Sequence, residues 1–150
     1  MKKIILIFVA FTTAVVFSAC GSKNDPKNFY PDKIDWTLQS DDLSNDGNIS
    51  ENNVHKEYDF GEYRGYKANI VYGFDSQGLS MIKIEYSPDS EDQAVEVYND
   101  LVSQFVDENG KGEVIGASVF WVMNGGDVSV QNNYSDKGVV AIIYAEPNEQ

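Results

Sequence analysis

One stretch constrains this fold more than any other: Ser90 to Asn109, a single amphipathic helix with turn-bounded, alternating runs on either side. Ala94, Tyr98, Leu101 and Phe105, joined by Val95, Val102 and Val106, recur at helical spacing and predict one apolar stripe. Ser90 is placed to cap the first turn, with Gln93 three residues on, and Glu91-Asp92 suit the positive end of the helix dipole. Gly110 ends the pattern. Before the helix, Tyr66, Ala68, Ile70, Tyr72 and Phe74 alternate with Lys67, Asn69, Val71 and Gly73, the pattern of a strand with one buried face. Asp75-Ser76-Gln77-Gly78 turns the chain into Ile82, Ile84 and Tyr86, with Lys83 and Glu85 opposite. After the helix, Val119–Met123 turns at Asn124-Gly125-Gly126-Asp127 into Val128–Val130, and Ser135-Asp136-Lys137-Gly138 leads into Val139–Ala145. Short turns require antiparallel neighbours. The order predicts an α+β fold: an antiparallel sheet of about five strands with one main helix packed on one face, β-β-α-β-β-β.

The first residues follow a different logic. Met1-Lys2-Lys3 is basic, and Ile4–Phe17 is a fourteen-residue run interrupted only by Thr12 and Thr13. A membrane span needs about twenty apolar residues, so this run reads as the core of a secretory signal. It ends in the small residues Ser18-Ala19, followed by Cys20, the chain's one cysteine. Here the sequence resembles bacterial lipoprotein precursors, with Ser18, Ala19 and Cys20 matching the lipobox and Phe17 standing where leucine is usual. The resemblance covers about the first twenty-two residues. It implies cleavage before Cys20, a diacylglycerol thioether on its sulfur, and often a further acyl chain on the freed amine. Two or three such chains anchor a protein firmly. An ordinary secretory signal that falls near a cysteine is the alternative.

The expected organisation is a signal peptide over residues 1–19, a lipidated N-terminus and flexible tether over 20–33, one domain over 34–147 and a tail over 148–150. The tether, Gly21 to Asn28, is polar and contains both glycine and proline. Phe29-Tyr30-Pro31 closes it, and Ile34, Trp36 and Leu38 alternate as a short first strand or extended segment would.

A single cysteine excludes an intrachain disulfide and, once lipidated, thiol catalysis or thiolate metal binding. The net charge is −13, and loss of Lys2 and Lys3 with the signal takes it to −15. So acidic a surface repels nucleic acid, which is excluded as a partner, and keeps the protein soluble beside a membrane.

Asp42 to Asn53 (DLSNDGNISENN) resembles the twelve-residue calcium loop of EF-hand and dockerin modules. The resemblance implies Asp42, Ser44 and Asp46 as side-chain ligands, the Asn48 carbonyl as a fourth, and Ser50 acting through water. Asn53 departs from the pattern, because an amide cannot supply the bidentate carboxylate of the last position. A polar loop, or a short helix capped by Ser40 and stopping at Gly47, accounts for the same residues.

His55, the one histidine, lies in a polar stretch and reads as a solvated residue. No glycine-framed nucleophile turn or phosphate-cradling loop is present. Aromatics are in surplus: Tyr58, Phe60, Tyr63 and Tyr66 cluster before the first strand, and Trp121 falls within a later one. Exposed, they would form a ligand platform; buried, they fill the space between helix and sheet.

Three functions follow as expectations. The first is a non-enzymatic, lipid-anchored interaction or accessory module on the extracytoplasmic face. Its partners are the membrane, through the lipid on Cys20, and an envelope protein. The second is a calcium- or small-ligand-binding lipoprotein using the Asp42–Asn53 loop or the tyrosine cluster. The third is a hydrolase with paired carboxylates. No catalytic residue and no cofactor is assigned.

Overall fold

A computed structural model of the chain describes residues 29, 31–43, 54–123 and 125–147. Its centre is one antiparallel sheet of seven strands with one long helix. The strands are β1 (Val54–Tyr63), β2 (Tyr66–Phe74), β3 (Leu79–Tyr86), β4 (Glu113–Ile115), β5 (Ser118–Met123), β6 (Gly126–Asn133) and β7 (Val139–Ala145). The helix α1 (Glu91–Asn109) joins β3 to β4, and a single turn, α2 (Tyr134–Lys137), joins β6 to β7. In space the order is β1-β2-β3-β7-β6-β5-β4. Two meanders therefore meet at the β3–β7 pair, and α1 carries the chain from the centre of the sheet to its far edge.

The α+β class and the single main helix stand as expected, but the strand count of about five is too low. The two extra strands are β1 and β4. In β1 the register shifts between Asp59 and Gly61, so Tyr58 pairs with Ile70 while Gly61 pairs with Ala68 and Tyr63 with Tyr66. A bulge of this kind reverses the in–out alternation. Tyr58 and Tyr63, an odd number of residues apart, consequently face the same side, and no continuous period of two survives in the sequence. Strand β4 has three residues, all exposed, and so carries no burial pattern.

One face of the sheet is the core. Tyr72, Ile82, Tyr144, Val128 and Trp121 form a row across five strands, and Ile70, Ile84, Ile142, Val130 and Val119 form the next. Helix α1 covers this face with Ala94, Val97, Leu101 and Phe105. The expected stripe included Val95 and Val106 but not Val97, and this is corrected: Val95 is 45% and Val106 38% exposed. At about 100° per residue, both lie a quarter-turn or more round from the Ala94–Leu101–Phe105 line, whereas Val97 flanks it on the sheet side. The caps are as expected. Ser90 Oγ accepts from the Gln93 N–H at 3.2 Å, and the Gly110 N–H donates to Val106 O at 2.8 Å.

The segment 34–38 is not a strand. Pro31–Lys33 and Ser40–Asp42 are single 3₁₀ turns, and between them the chain straps across the sheet's end. Its alternation is nonetheless real: Ile34, Trp36 and Leu38 are half-buried while Asp35, Thr37 and Gln39 are exposed. The strap is tied by Leu79 N–H donating to Leu38 O at 2.9 Å and by the Trp36 indole donating to Gly125 O at 2.8 Å.

Candidate functional site

Helix α1 ends at Asn109 while the sheet beneath it continues. Beyond that point the strap packs on the core face, and a groove of about 480 Å³ lies there over side chains that are themselves nearly buried. Its base is the Trp121–Val128–Tyr144 end of the cross-sheet row, and its walls are Pro31 and Ile34 from the strap, with Val122 and Met123 from β5. A second hollow of about 230 Å³ shares Pro31, Asn109, Met123 and Tyr144 with it and adds Arg64, Phe105 and Glu108. The groove lies within the size range of small-molecule sites.

Backbone geometry at Gly126 builds one wall. Its φ is +138°, and a Cβ there would stand 2.5 Å from Ala145 O and 2.9 Å from Trp36 Cζ2. A residue without a side chain therefore lets the strap's indole lie against the β5–β6 hairpin.

The inner end is set by the β1–β2 hairpin. Arg64 (φ +54°) and Gly65 (φ +89°) occupy its two-residue turn, where left-handed dihedrals match the twist of the strands. Arg64 thus takes a conformation that costs a non-glycine residue about 1 kcal/mol. Its side chain offsets that cost. The guanidinium carbon lies 4.2 Å over the Phe105 ring and 5.7 Å from that of Tyr63. Its two terminal nitrogens grip the Glu108 carboxylate at 2.8 and 2.7 Å. Gln104 Nε2 donates to Arg64 O at 3.3 Å. Burial, the largest single effect, works against the guanidinium's charge, but the hydrogen bond to Glu108, the neighbouring Tyr63 and Tyr144 and the Glu108 charge together outweigh it and raise the Arg64 pKa. In return the hydrogen bond from Arg64 lowers the Glu108 pKa, against a smaller opposing effect of burial.

Three phenols surround this pair. Tyr63 OH and Tyr144 OH are hydrogen-bonded at 3.2 Å. Tyr86 is 2% exposed, and neither its hydroxyl nor Arg64 Nε has a hydrogen-bond partner. Burial pushes the phenols of Tyr86 and Tyr144 well above the usual tyrosine range, and Tyr63 adds to both shifts. Phe29, from the strap's beginning, meets Tyr144 edge-on at 5.1 Å.

The tyrosine cluster expected before the first strand is divided by the fold. Tyr58 is in the core, edge-on to Tyr72. Tyr63 faces the groove's inner end, and Tyr66 packs edge-on to Tyr86 with its hydroxyl donating to Asp100 at 2.9 Å. Phe60, half-buried, packs edge-on to Tyr63. Arg64, Glu108 and Tyr144 were not singled out in the sequence. An X-Gly pair between Tyr63 and Tyr66 is a signal for the turn, but nothing local announces that its Arg meets Glu108.

Cys20 lies outside the described residues, as do residues 44–53 of the proposed calcium loop. Asp42, the loop's first residue, uses Oδ2 to accept from the Gln39 N–H at 2.8 Å. Among the described residues no three His, Cys, Asp or Glu side chains come together as a metal site would require. His55 is half-buried rather than solvated, its ring edge about 3.5 Å from where a Cβ on Gly73 would stand. Among the described residues no helix is long and apolar enough to cross a membrane. Comparison of the chain with protein-family models, with curated proteins and with solved structures returned no match.

Proposed function

We propose that this protein is a non-enzymatic binding module, held at the extracytoplasmic face of a membrane by lipid on Cys20, that uses the groove beyond α1 for a small ligand with an apolar body. The observation that carries this reading is the groove itself: aromatic and aliphatic walls continuous with the core, closed at one end by a charge-balanced Arg64–Glu108 pair. A pocket that is mostly apolar with a few convergent polar groups is the usual form of a binding site. Among the described residues lining the groove and its neighbouring hollow, Glu108 is the one carboxylate, and Arg64 holds it, which favours binding over acid–base chemistry.

Two measurements test the reading. Cys20→Ser moves the protein out of the detergent phase in a phase-separation assay, and retention there refutes the anchor. For the groove, the lipidated mature chain in an amphiphilic polymer is titrated with 1-naphthol, an uncharged aromatic probe. A saturable change in tryptophan fluorescence that Met123→Glu abolishes supports binding; no saturable change refutes it.

A further inference from the structure

The groove is apolar where it opens and electrically balanced where it closes. Pro31, Ile34 and Met123 contribute apolar surface over a floor of Trp121 and Val128, which are 5% and 2% exposed. Among the described residues the groove's polar side chains are engaged, Arg64 Nε excepted. Asn109 Nδ2 donates to Phe105 O at 3.3 Å, Tyr144 OH is bonded to Tyr63 OH, and Arg64 and Glu108 hold each other. The Gly125 carbonyl accepts from Trp36. A peptide laid here would bury amides with few partners, and an unpaired buried amide is costly. An alkyl chain needs no hydrogen-bond partner at all. Charge points the same way: the chain carries −13 overall, so a ligand with a net negative charge is repelled on approach, and the groove itself offers no net charge to compensate.

The strap adds a positional argument. Phe29 packs on Tyr144 and Pro31 forms part of the groove wall. Only the eight residues 21–28 separate Phe29 from Cys20, and a stretch of that length spans about 30 Å at full extension. A domain anchored through Cys20 therefore keeps this groove within that distance of the bilayer. Val122 at its rim is 90% exposed and extends apolar surface outward from it.

Building on the ligand-binding reading above, we infer that the groove takes one alkyl chain of a lipid without net charge, drawn from the bilayer to which the domain is tethered. The chain lies along Trp121, Met123 and Val128, and the head group stays in water.

The protein carries its own reporters. Its two tryptophans are Trp36, in the strap beside Gly126, and Trp121, in the groove base. The lipidated mature chain, beginning at Cys20, is reconstituted into phosphatidylcholine vesicles whose acyl chains carry bromine, a contact quencher of indole. Tryptophan emission is expected to fall by at least half against unbrominated vesicles. Met123→Glu, which sets a carboxylate in the wall, is expected to restore it, whereas Val114→Glu, exposed on β4 and outside the groove lining, leaves the quenching in place. Ile34→Gln replaces Met123→Glu if that variant does not fold. Absence of quenching in the wild type overturns the inference. So does quenching that Val114→Glu removes and Met123→Glu does not, because the indoles are then only touching the bilayer surface. Saturable 1-naphthol binding without quenching by brominated chains leaves the groove a ligand site and removes only the alkyl chain; loss of both removes the ligand-binding reading as well.

Discussion

The guanidinium carbon of Arg64, at the tip of the first hairpin, lies 4.2 Å over the ring of Phe105 on the buried side of helix α1. These two residues connect the meander β1–β3 to the helix, and Glu108, three residues along from Phe105, completes the clasp. A hairpin tip that would otherwise extend into solvent is thereby fastened to the groove's inner end.

Replacing Arg64 separates the parts of this clasp. A partly desolvated cation–π contact contributes about 0.5–2 kcal/mol, and an ion pair with a half-exposed partner about 0–1 kcal/mol. Arg64→Ala loses both and keeps the unfavourable left-handed backbone, so a loss of about 2–3 kcal/mol is expected by urea denaturation. Arg64→Gly relieves the backbone and recovers about 1 kcal/mol of that loss. Equal stability of the two variants would contradict the turn geometry.

Acid releases the same clasp. The Glu108 pKa is lowered in the folded state, chiefly by the hydrogen bond from Arg64. A depressed carboxylate contributes stability that is present above its unfolded pKa of about 4.3 and is lost as pH falls through the lower folded value. Half-exposure of Glu108 keeps the effect small. Melting temperature measured from pH 6 down to pH 2 is expected to decline more steeply below pH 4 in the wild type than in Glu108→Gln, and parallel curves would exclude the linkage.

The two phenols behave oppositely on deletion of their oxygens. Tyr86 OH is buried without a hydrogen-bond partner, so Tyr86→Phe removes an unsatisfied polar atom and is expected to be neutral or stabilising by about 1 kcal/mol. Tyr144→Phe removes the partner of Tyr63 OH and is expected to destabilise by about 0.5–1.5 kcal/mol. Chemical denaturation of the pair distinguishes them by sign.

Alkali adds a pH test of the same site. Burial holds the Tyr86 and Tyr144 pKa values above the usual range. A raised folded pKa contributes stability that is complete below the unfolded value of about 10 and is lost as pH rises beyond it. Unfolding followed by circular dichroism is therefore expected to set in above pH 10, together with tyrosinate absorbance. Tyrosinate formation by all the tyrosines at pH 10 without unfolding would show these phenols to be exposed.

Gly126 is the tightest point of the strap. A Cβ there would meet Ala145 O, a backbone atom with no rotamer to escape into. Gly126→Ala is expected to cost more than about 2 kcal/mol and to shift the emission of Trp36, which a local change elsewhere would leave alone.

Most of the fold was legible because its signals are local. The Ser90–Asn109 helix, its caps and the alternation of Tyr66–Ile70 and Ile82–Tyr86 each depend on residues within a few positions of one another. From Ile70 to Phe74, by contrast, both faces of β2 are buried and the expected single buried face does not hold. Strand β1 was not legible, because the shift at Asp59/Gly61 reverses its parity midway. The strap showed its alternation but not its role: Trp36 finds its acceptor at Gly125, 89 residues on. Within the candidate site, aromatic surplus pointed to Tyr63 and Tyr66, while nothing in the sequence singled out Arg64.

From its residues alone, this chain declares an α+β fold with one capped helix and a strongly acidic net charge. Those properties come from periodicity, composition and short-range capping. The groove does not. It exists because α1 stops at Asn109 while β5, β6 and β7 run on, and because a strap and a hairpin tip from distant parts of the chain close its sides. Which surfaces a fold leaves uncovered depends on the relative lengths and placement of elements far apart in sequence, and only the packed structure brings those lengths together.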